Sequence, residues 1–449
     1  MAQDGEAAAP ARHSTAIALF TRDLRVHDNP VLAQAMHSAD RVVPMFVLEP
    51  RLLRRSPRRT TFLLESLADL DGSLRELGGH LIVRRGDTTA EVSRVARQTN
   101  AQSIFLAADV SAYAQRRELA LRRALPRLDI RALPGLFVVE PGEVAAVGST
   151  HYRVFTPYWR AWEREPWRPL VDIPRRLVAQ PEVESVALPE TSTSSRPAGP
   201  PGGETAGRAL LQRWLAAGLA SYPELRDQPG VDGTSRLSAY LRFGCVSPLE
   251  TAIRAGAGEF RRQLCWRDFY AQLLWANPRT QIEDLNLRRH DWDDNDEALA
   301  AWQAGMTGYP IIDAAMRQLH NEGFIHNRAR MIAASFLTKD LNLDWRLGAA
   351  HFDRLLLDGD PASNSGGWQW VAGTGTDTRP GRMLNPARQA ERFDPYGAYV
   401  RQHVPELANL EGKAAHQPGP LDALDYPAPM IDHAEAVRRF RKPPSPIDS

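Results

Sequence analysis

The chain has 449 residues, 43% of them hydrophobic and 24% charged, a globular balance in a length that predicts two or three domains. A net charge of +1 announces no strongly acidic or basic partner, and no apolar run approaches the ~20 residues of a membrane span. Met1–His13 lacks the apolar stretch of a secretory signal, so a cytoplasmic protein is expected.

Residues 1–14 read as a tail. From 15 to 140, short apolar runs alternate with amphipathic stretches. Ala16–Phe20, Val42–Val47, Leu81–Val83, Ser103–Leu106 and Phe137–Val139 read as buried strands. Thr61–Leu77 has helical apolar spacing and stops at Gly78-Gly79. This alternation predicts a doubly wound parallel α/β domain, whose ligands sit at the carboxyl ends of the strands. Residues 141–205 are rich in Pro, Gly, Ser and Thr, most of all Pro189–Gly203, and read as a linker. Its aromatic start, His151–Trp159, is expected to pack on a domain. From 206 to 434 the β-branched runs give way to helical periods, as in Tyr309–Leu319 and Ile325–Leu337. Ser247–Glu250 is a capping box with Pro248 at the first helical position, and Gly323 reads as a stop between helices. The predicted class is α/β plus all-α, with residues 435–449 as a second tail.

Several chemistries find no motif. No GxGxxG follows a strand, and there is no P-loop and no HExxH. Cys245 and Cys265 belong to no CxxC pair, which argues against a disulfide framework or a zinc site. Only three of the 55 basic residues are lysines, Lys339, Lys413 and Lys442. That matches a GC-rich genome, although guanidinium forks also suit phosphates.

Four constellations stand out in the helical half. Thr234-Ser235-Arg236-Leu237-Ser238 puts three hydroxyls and a guanidinium before a helical stretch, which suits a pyrophosphate or an ordinary N-cap. Tyr222 and Arg226 lie upstream. Gln263, Trp266, Arg267 and Tyr270 share one broad helix face, suited to a polar cleft with a stacking platform or to a surface helix. Asn327 and Met331 are four apart, an amide and a thioether able to line a pocket for a flat base. After Asp358-Gly359-Asp360 come Asn364 and Trp368, four apart. Trp370 lies two beyond Trp368 and so on another side of the same helix.

These strings, with Thr307–Pro310, Asp313–Arg317, Gly373–Asp377 and the opening Phe20–Arg25 and His27–Pro30, resemble the photolyase/cryptochrome family. The likeness runs from about residue 16 to 415, and is nearest to bacterial cyclobutane pyrimidine dimer photolyases of class I. It implies an N-terminal antenna domain, a helical domain holding FAD, and light-driven repair of UV-damaged double-stranded DNA. It implies flavin contacts at Tyr222, Thr234, Ser235, Arg236, Leu237, Ser238, Arg267, Arg330, Asp358, Gly359, Asp360 and Asn364. Trp368, Trp345 and Trp292, separated by 23 and 53 residues, match the tryptophan chain that photoreduces the flavin. Arg226, Gln263, Trp266, Arg267, Tyr270, Asn327, Arg328, Met331, Trp370 and Arg382 match lesion- or DNA-contacting positions. Gln263 departs from the usual Glu, and His326-Asn327 favours the cyclobutane dimer over the (6-4) product. Ala108–Tyr113 lacks the Asn and Glu of a folate antenna, so a deazaflavin is the expected second chromophore. The resemblance implies no membrane and no obligate partner, hence a monomer. A cryptochrome-like photoreceptor with little repair is the competing expectation.

Overall fold

The computed structural model describes residues 13–173, 175–177, 180–189, 199–286, 291–419 and 425–441. The expected N-terminal tail up to residue 12, positions 190–198 of the linker and the tail from 442 onward lie outside the described residues.

Five strands form one parallel sheet: β1 (Ala16–Leu19), β2 (Val42–Leu48), β3 (Ile82–Arg85), β4 (Ser103–Ala107) and β5 (Asp129–Leu133), in the order β3-β2-β1-β4-β5. β1, β2 and β4 are buried along their whole length, as unbroken apolar runs require in a sheet covered on both faces. The chain reverses its winding at β1, so the switch point lies between β1 and β4. Two expectations need correction. Phe137–Val139 is buried but is no strand; its backbone N–H groups serve a side chain of the helical half, described below. The fifth strand is instead Asp129–Leu133, whose half-exposed edge pattern hides it among polar residues. The helix read over Thr61–Leu77 runs Pro57–Glu76, with proline at its first turn.

The rest of the chain is helical. Helices Glu259–Ala276, Pro310–Glu322, Asn327–Ser335, Trp345–Leu355 and Pro361–Ala372 build the part that matters for function. Ser247 caps helix Pro248–Ala255 by accepting from Glu250 N, and Gly323 ends Pro310–Glu322 in the left-handed region. Inside the linker stretch, Phe155–Arg164 is a helix buried by Phe155, Tyr158 and Trp162. One hydrophobic cluster runs from the sheet through this helix into Glu259–Ala276, so the two halves share a core. The reading of 435 onward as a tail is corrected by helix His433–Arg441, which docks through His433 Nδ1 to Asp340 Oδ1 (2.5 Å) and Arg439 Nη2 to Asp340 O (2.6 Å). Among the described residues no helix is long and apolar enough to cross a membrane. Cys245 and Cys265 are buried free thiols, and the described residues hold no metal-ligating cluster.

Candidate functional site

The switch point of the sheet is where a doubly wound domain offers its ligand crevice. Here the helical half plugs it. Arg22, just past β1, donates to Asp109 just past β4 (3.2 Å) and to Asp360 at the head of helix Pro361–Ala372 (2.6 Å). Arg242 Nε donates to Gly359 O (2.8 Å), and Arg22 Nε donates to Arg242 O (3.3 Å). Arg267 donates to Leu136 O and lies over the Phe137 ring. Three guanidiniums thus meet three carboxylates inside the protein, Asp109, Asp360 and Asp268, the last 3.5 Å from Arg267 Nη1. Burial, followed by the neighbouring Arg22 charge, pulls Arg242 down to about 9. Burial alone would raise the Asp360 carboxyl, but Arg22, Arg242 and Arg267 overcome it and hold the group well below the usual carboxylate range.

Asp360 also caps its helix by accepting from Ser363 N (2.9 Å). One turn on, Asn364 Nδ2 donates to Ala349 O (2.9 Å), which fixes the amide's orientation. Arg330 Nη2 reaches Asp358 Oδ2 (2.8 Å) while its Nε donates to Ile325 O (2.9 Å). Asp358 Oδ1 is buried and has no hydrogen-bond partner among the described residues. A Cβ on Gly367 would enter open space, whereas one on Gly366 would strike the Tyr270 ring at 2.2 Å. Gly366 therefore lets two helices close, and Gly367 leaves room beside them. An arginine-lined cradle, an unanswered buried acceptor and a side-chain-free helix face fit a large, flat cofactor with polar edges.

Below this cradle the aromatic residues cluster. Trp368 is buried edge-on against Phe352 (5.0 Å) and Trp302 (6.0 Å). Trp345 is fully buried and donates its indole N–H to Asp284 Oδ1 (2.9 Å). Trp292 and Trp370 are half-buried on the same cluster, with Met331.

The second wall stands on helix Glu259–Ala276. Trp266 is stacked flat on Phe155, ring centroids 3.7 Å apart and planes 6° from parallel. Tyr270 tilts against it at 5.6 Å, and Gln263 is half-buried one turn earlier. Asn327 is exposed, its amide 3.9 Å from Met331 Sδ. Arg382 is exposed too. The other expected phosphate contacts carry carboxylate partners: Arg226 bonds Glu259, and Arg328 makes a bidentate pair with Asp227 at 2.8 and 2.9 Å. Tyr222 packs edge-on against Trp214 and Phe260, and burial pushes its hydroxyl up to about 12.

The Thr234–Ser238 segment differs from its anion-site reading at Arg236. It opens a helix of only six residues, Ser238–Phe243. Arg236, at φ 53°, ties its guanidinium to Glu322 (3.1 Å) and Asp232 (3.4 Å) and lies over Phe324, so two carboxylates already hold it. Thr234 and Ser235 are half-buried, Leu237 buried and Ser238 exposed. Sequence reasoning missed Arg242, Asp109 and Asp284 as site residues. Arg22 and Phe155 stood only inside the opening motif and the aromatic run, with nothing to mark them as neighbours of Asp360 and Trp266.

A sheet plugged by a helical domain with an arginine-lined cradle and an aromatic wall defines a two-domain flavoprotein of the photolyase/cryptochrome class. Two sequence profiles agree: "DNA photolyase" matches residues 16–176, and "FAD binding domain of DNA photolyase" matches 260–443. The chain belongs to the DNA photolyase family. It is 48% identical to the deoxyribodipyrimidine photo-lyase of Streptomyces griseus over 96% of this chain and 99% of that one. The class III photolyase of Agrobacterium tumefaciens superposes with a TM-score of 0.87 at 34% identity, covering 97% of this chain and 98% of the other. The archaeal photolyase of Sulfolobus tokodaii, solved with two FAD molecules, gives 0.84 at 31% identity, covering 95% and 98%.

Proposed function

We propose that this protein is a light-driven DNA-repair lyase that binds FAD in its helical half and splits cyclobutane pyrimidine dimers. The observation that carries the reading is the buried, arginine-lined cradle around Asp358–Asn364, with its unanswered Asp358 oxygen. FAD, when bound, supplies light absorption and one-electron reduction of the dimer. The chain's residues hold and orient. Arg330, Asp358, Gly359, Asp360, Asn364 and Arg267 line the flavin side, and Tyr222 with Thr234, Ser235, Leu237 and Ser238 the phosphate side, Arg236 staying with its carboxylates. Trp292, Trp345 and Trp368 form the route by which electrons enter the protein interior.

A dimer inside a duplex cannot touch this pocket. Enzymes that act on bases, photolyases among them, extrude the target, and a damaged pair costs least to unstack. Trp266 and Trp370 then wall the dimer, with Tyr270 and Met331 behind them. Gln263 and Asn327 donate to its carbonyls. Arg226, Arg328 and Arg382 take phosphates, the first two by exchanging carboxylate for phosphate partners, so binding weakens with salt. No general acid is needed, because the electron returns once the ring has opened.

A second chromophore sits with the sheet domain, and a deazaflavin fits better than a folate. Asp109, in the segment where a folate antenna would be read, is closed on Arg22 and almost inaccessible. Mass spectrometry of the extracted chromophores tests this, and folate would overturn it. The working form is a monomer in the cytoplasm, acting on damaged DNA.

The test is a duplex carrying a single dimer, incubated with reduced holoenzyme in the dark and under blue light. Restored pyrimidines only in the light are expected. Gln263 alone favours the rival reading of a photoreceptor, which a light response without repair would support.

A further inference from the structure

Trp368 has one indole in ring contact, Trp302, and a second, Trp345, on the helix packed against its own, and their surroundings differ. Trp302 lies 6.0 Å away, fully buried, and its N–H meets a neutral backbone carbonyl, Ala333 O at 3.1 Å. On the other side the Trp368 ring rests on Gly348, where a Cβ would come within 2.1 Å; Gly348 is one turn along the helix from Trp345. The N–H of Trp345 meets a carboxylate, Asp284 Oδ1 at 2.9 Å.

Asp284 is not there by accident of a loose loop. Gln369, the residue after Trp368, clamps the segment that carries it. Its Nε2 donates to Thr280 O (2.7 Å) and Glu283 O (3.0 Å), and its Oε1 accepts from Leu285 N (2.8 Å). Gln369 is buried. The helix that presents the first tryptophan thus also positions the anion beside the second.

A cation competes with that anion. The Arg346 guanidinium lies over the Trp345 ring, 4.9 Å from its centroid, shares Asp284 Oδ1 at 2.8 Å, and turns its Nη1 to the Asp344 carboxylate at 3.0 and 3.1 Å. Losing an electron turns the indole into a cation. Arg346 opposes that change; Asp284 favours it, both directly and by neutralising Arg346.

We propose that Asp284 is the positioning residue that makes Trp345, and not Trp302, the electron donor to Trp368. The inference rests on the tryptophan route proposed above. FAD, when bound and lit in its oxidised form, would supply the one-electron oxidant for Trp368. One electron then moves from Trp345 to Trp368, and no bond breaks. The indole proton stays on Nε1, held by Asp284, and an external thiol finally refills the chain.

The test is blue-light photoreduction of oxidised holoenzyme with dithiothreitol, per absorbed photon and at matched flavin content. Transient absorption of the tryptophan cation is followed alongside. Asp284→Asn is expected to slow photoreduction about fivefold or more and to shorten the separated state, since the anion on the Trp345 N–H is lost while Arg346, then held by Asp344 alone, stays over the ring. Arg346→Gln is expected to match or exceed the wild type, and Asp284→Glu to restore most of the rate. Asp284→Asn within twofold of wild type would overturn the inference, and so would Arg346→Gln failing equally, because a purely structural link loses in both variants. Trp368→Phe separates the levels. If it blocks photoreduction while Asp284→Asn does not, the tryptophan route stands and the assignment of Asp284 falls. If it changes nothing, the route falls and takes the inference with it.

Discussion

Trp266 shows how much one stacked pair can decide. Stacked on Phe155 at 3.7 Å, the indole has one face already covered, which leaves the other for the flipped pyrimidine dimer that the proposed function puts there. Stacking on an aromatic platform is worth about 1–3 kcal/mol per base by alanine substitution. Trp266→Ala is therefore expected to lower affinity for dimer-containing duplex about tenfold or more while flavin content holds. Equal discrimination of damaged and intact DNA by gel shift would refute the assignment. Gln263 makes the opposite kind of prediction. Its amide can donate to a carbonyl but carries no charge or proton for the reduced dimer. Gln263→Glu should leave repair yield per photon equal or higher; a large fall would mean the pocket is built differently. Residue identities of this sort were legible in the sequence because helical spacing fixes which side chains share a face. The engagement of charges was not. Arg328 reads as a phosphate contact until Asp227, 101 positions away, takes its Nε and Nη2.

At the scale of elements, Asp268 joins the halves. From helix Glu259–Ala276 its Oδ2 accepts from Val138 N (2.9 Å), Val139 N (3.2 Å) and Trp162 Nε1 (3.0 Å). A single carboxylate thus fixes a loop of the sheet domain and the linker helix against the wall that carries Trp266. Asp268→Ala would leave three buried donors unanswered, each costing about 1–3 kcal/mol, and is expected to lower stability by about 3 kcal/mol or more. A denaturant midpoint unchanged from wild type would contradict it. The same contact explains a misread element. An apolar Phe137-Val138-Val139 run looks like a buried strand because burial, not pairing, sets its composition. Its donors are satisfied by a side chain 129 and 130 residues away. β5 erred the other way: an edge strand needs only one buried face, and Asp129-Ile130-Arg131 advertises polarity instead. Helix His433–Arg441 was lost for a third reason, since its partner Asp340 lies in a helical turn 93 residues earlier.

For the whole molecule, docking of the two halves rests on carboxylates of two kinds, and their signs set its pH limits. Burial alone would raise Asp28, Asp109 and Asp360. Hydrogen bonds from Arg168 and Ser247 overcome it at Asp28, and the Arg22 charge does so at Asp109 and Asp360, leaving all three below their ordinary values. A group whose folded value is depressed contributes stability fully above its unfolded value, about 3.9, and loses it as pH falls through the folded one. Asp268 and Asp23 work in the other sense. Burial raises both, Asp268 to about 6, so their contribution is complete below about 4 and shrinks as pH rises through the folded value. Mild acid therefore relieves the second set before it threatens the first. Flavin release and loss of near-UV dichroism are expected together, with a midpoint below about pH 4. Both should shift upward in Asp360→Asn, which removes the ion pair between Arg22 and the cradle while keeping the side chain's volume. Release near pH 6 with the fold intact would mean that some other group, and not this buried network, fastens the helical domain to the sheet.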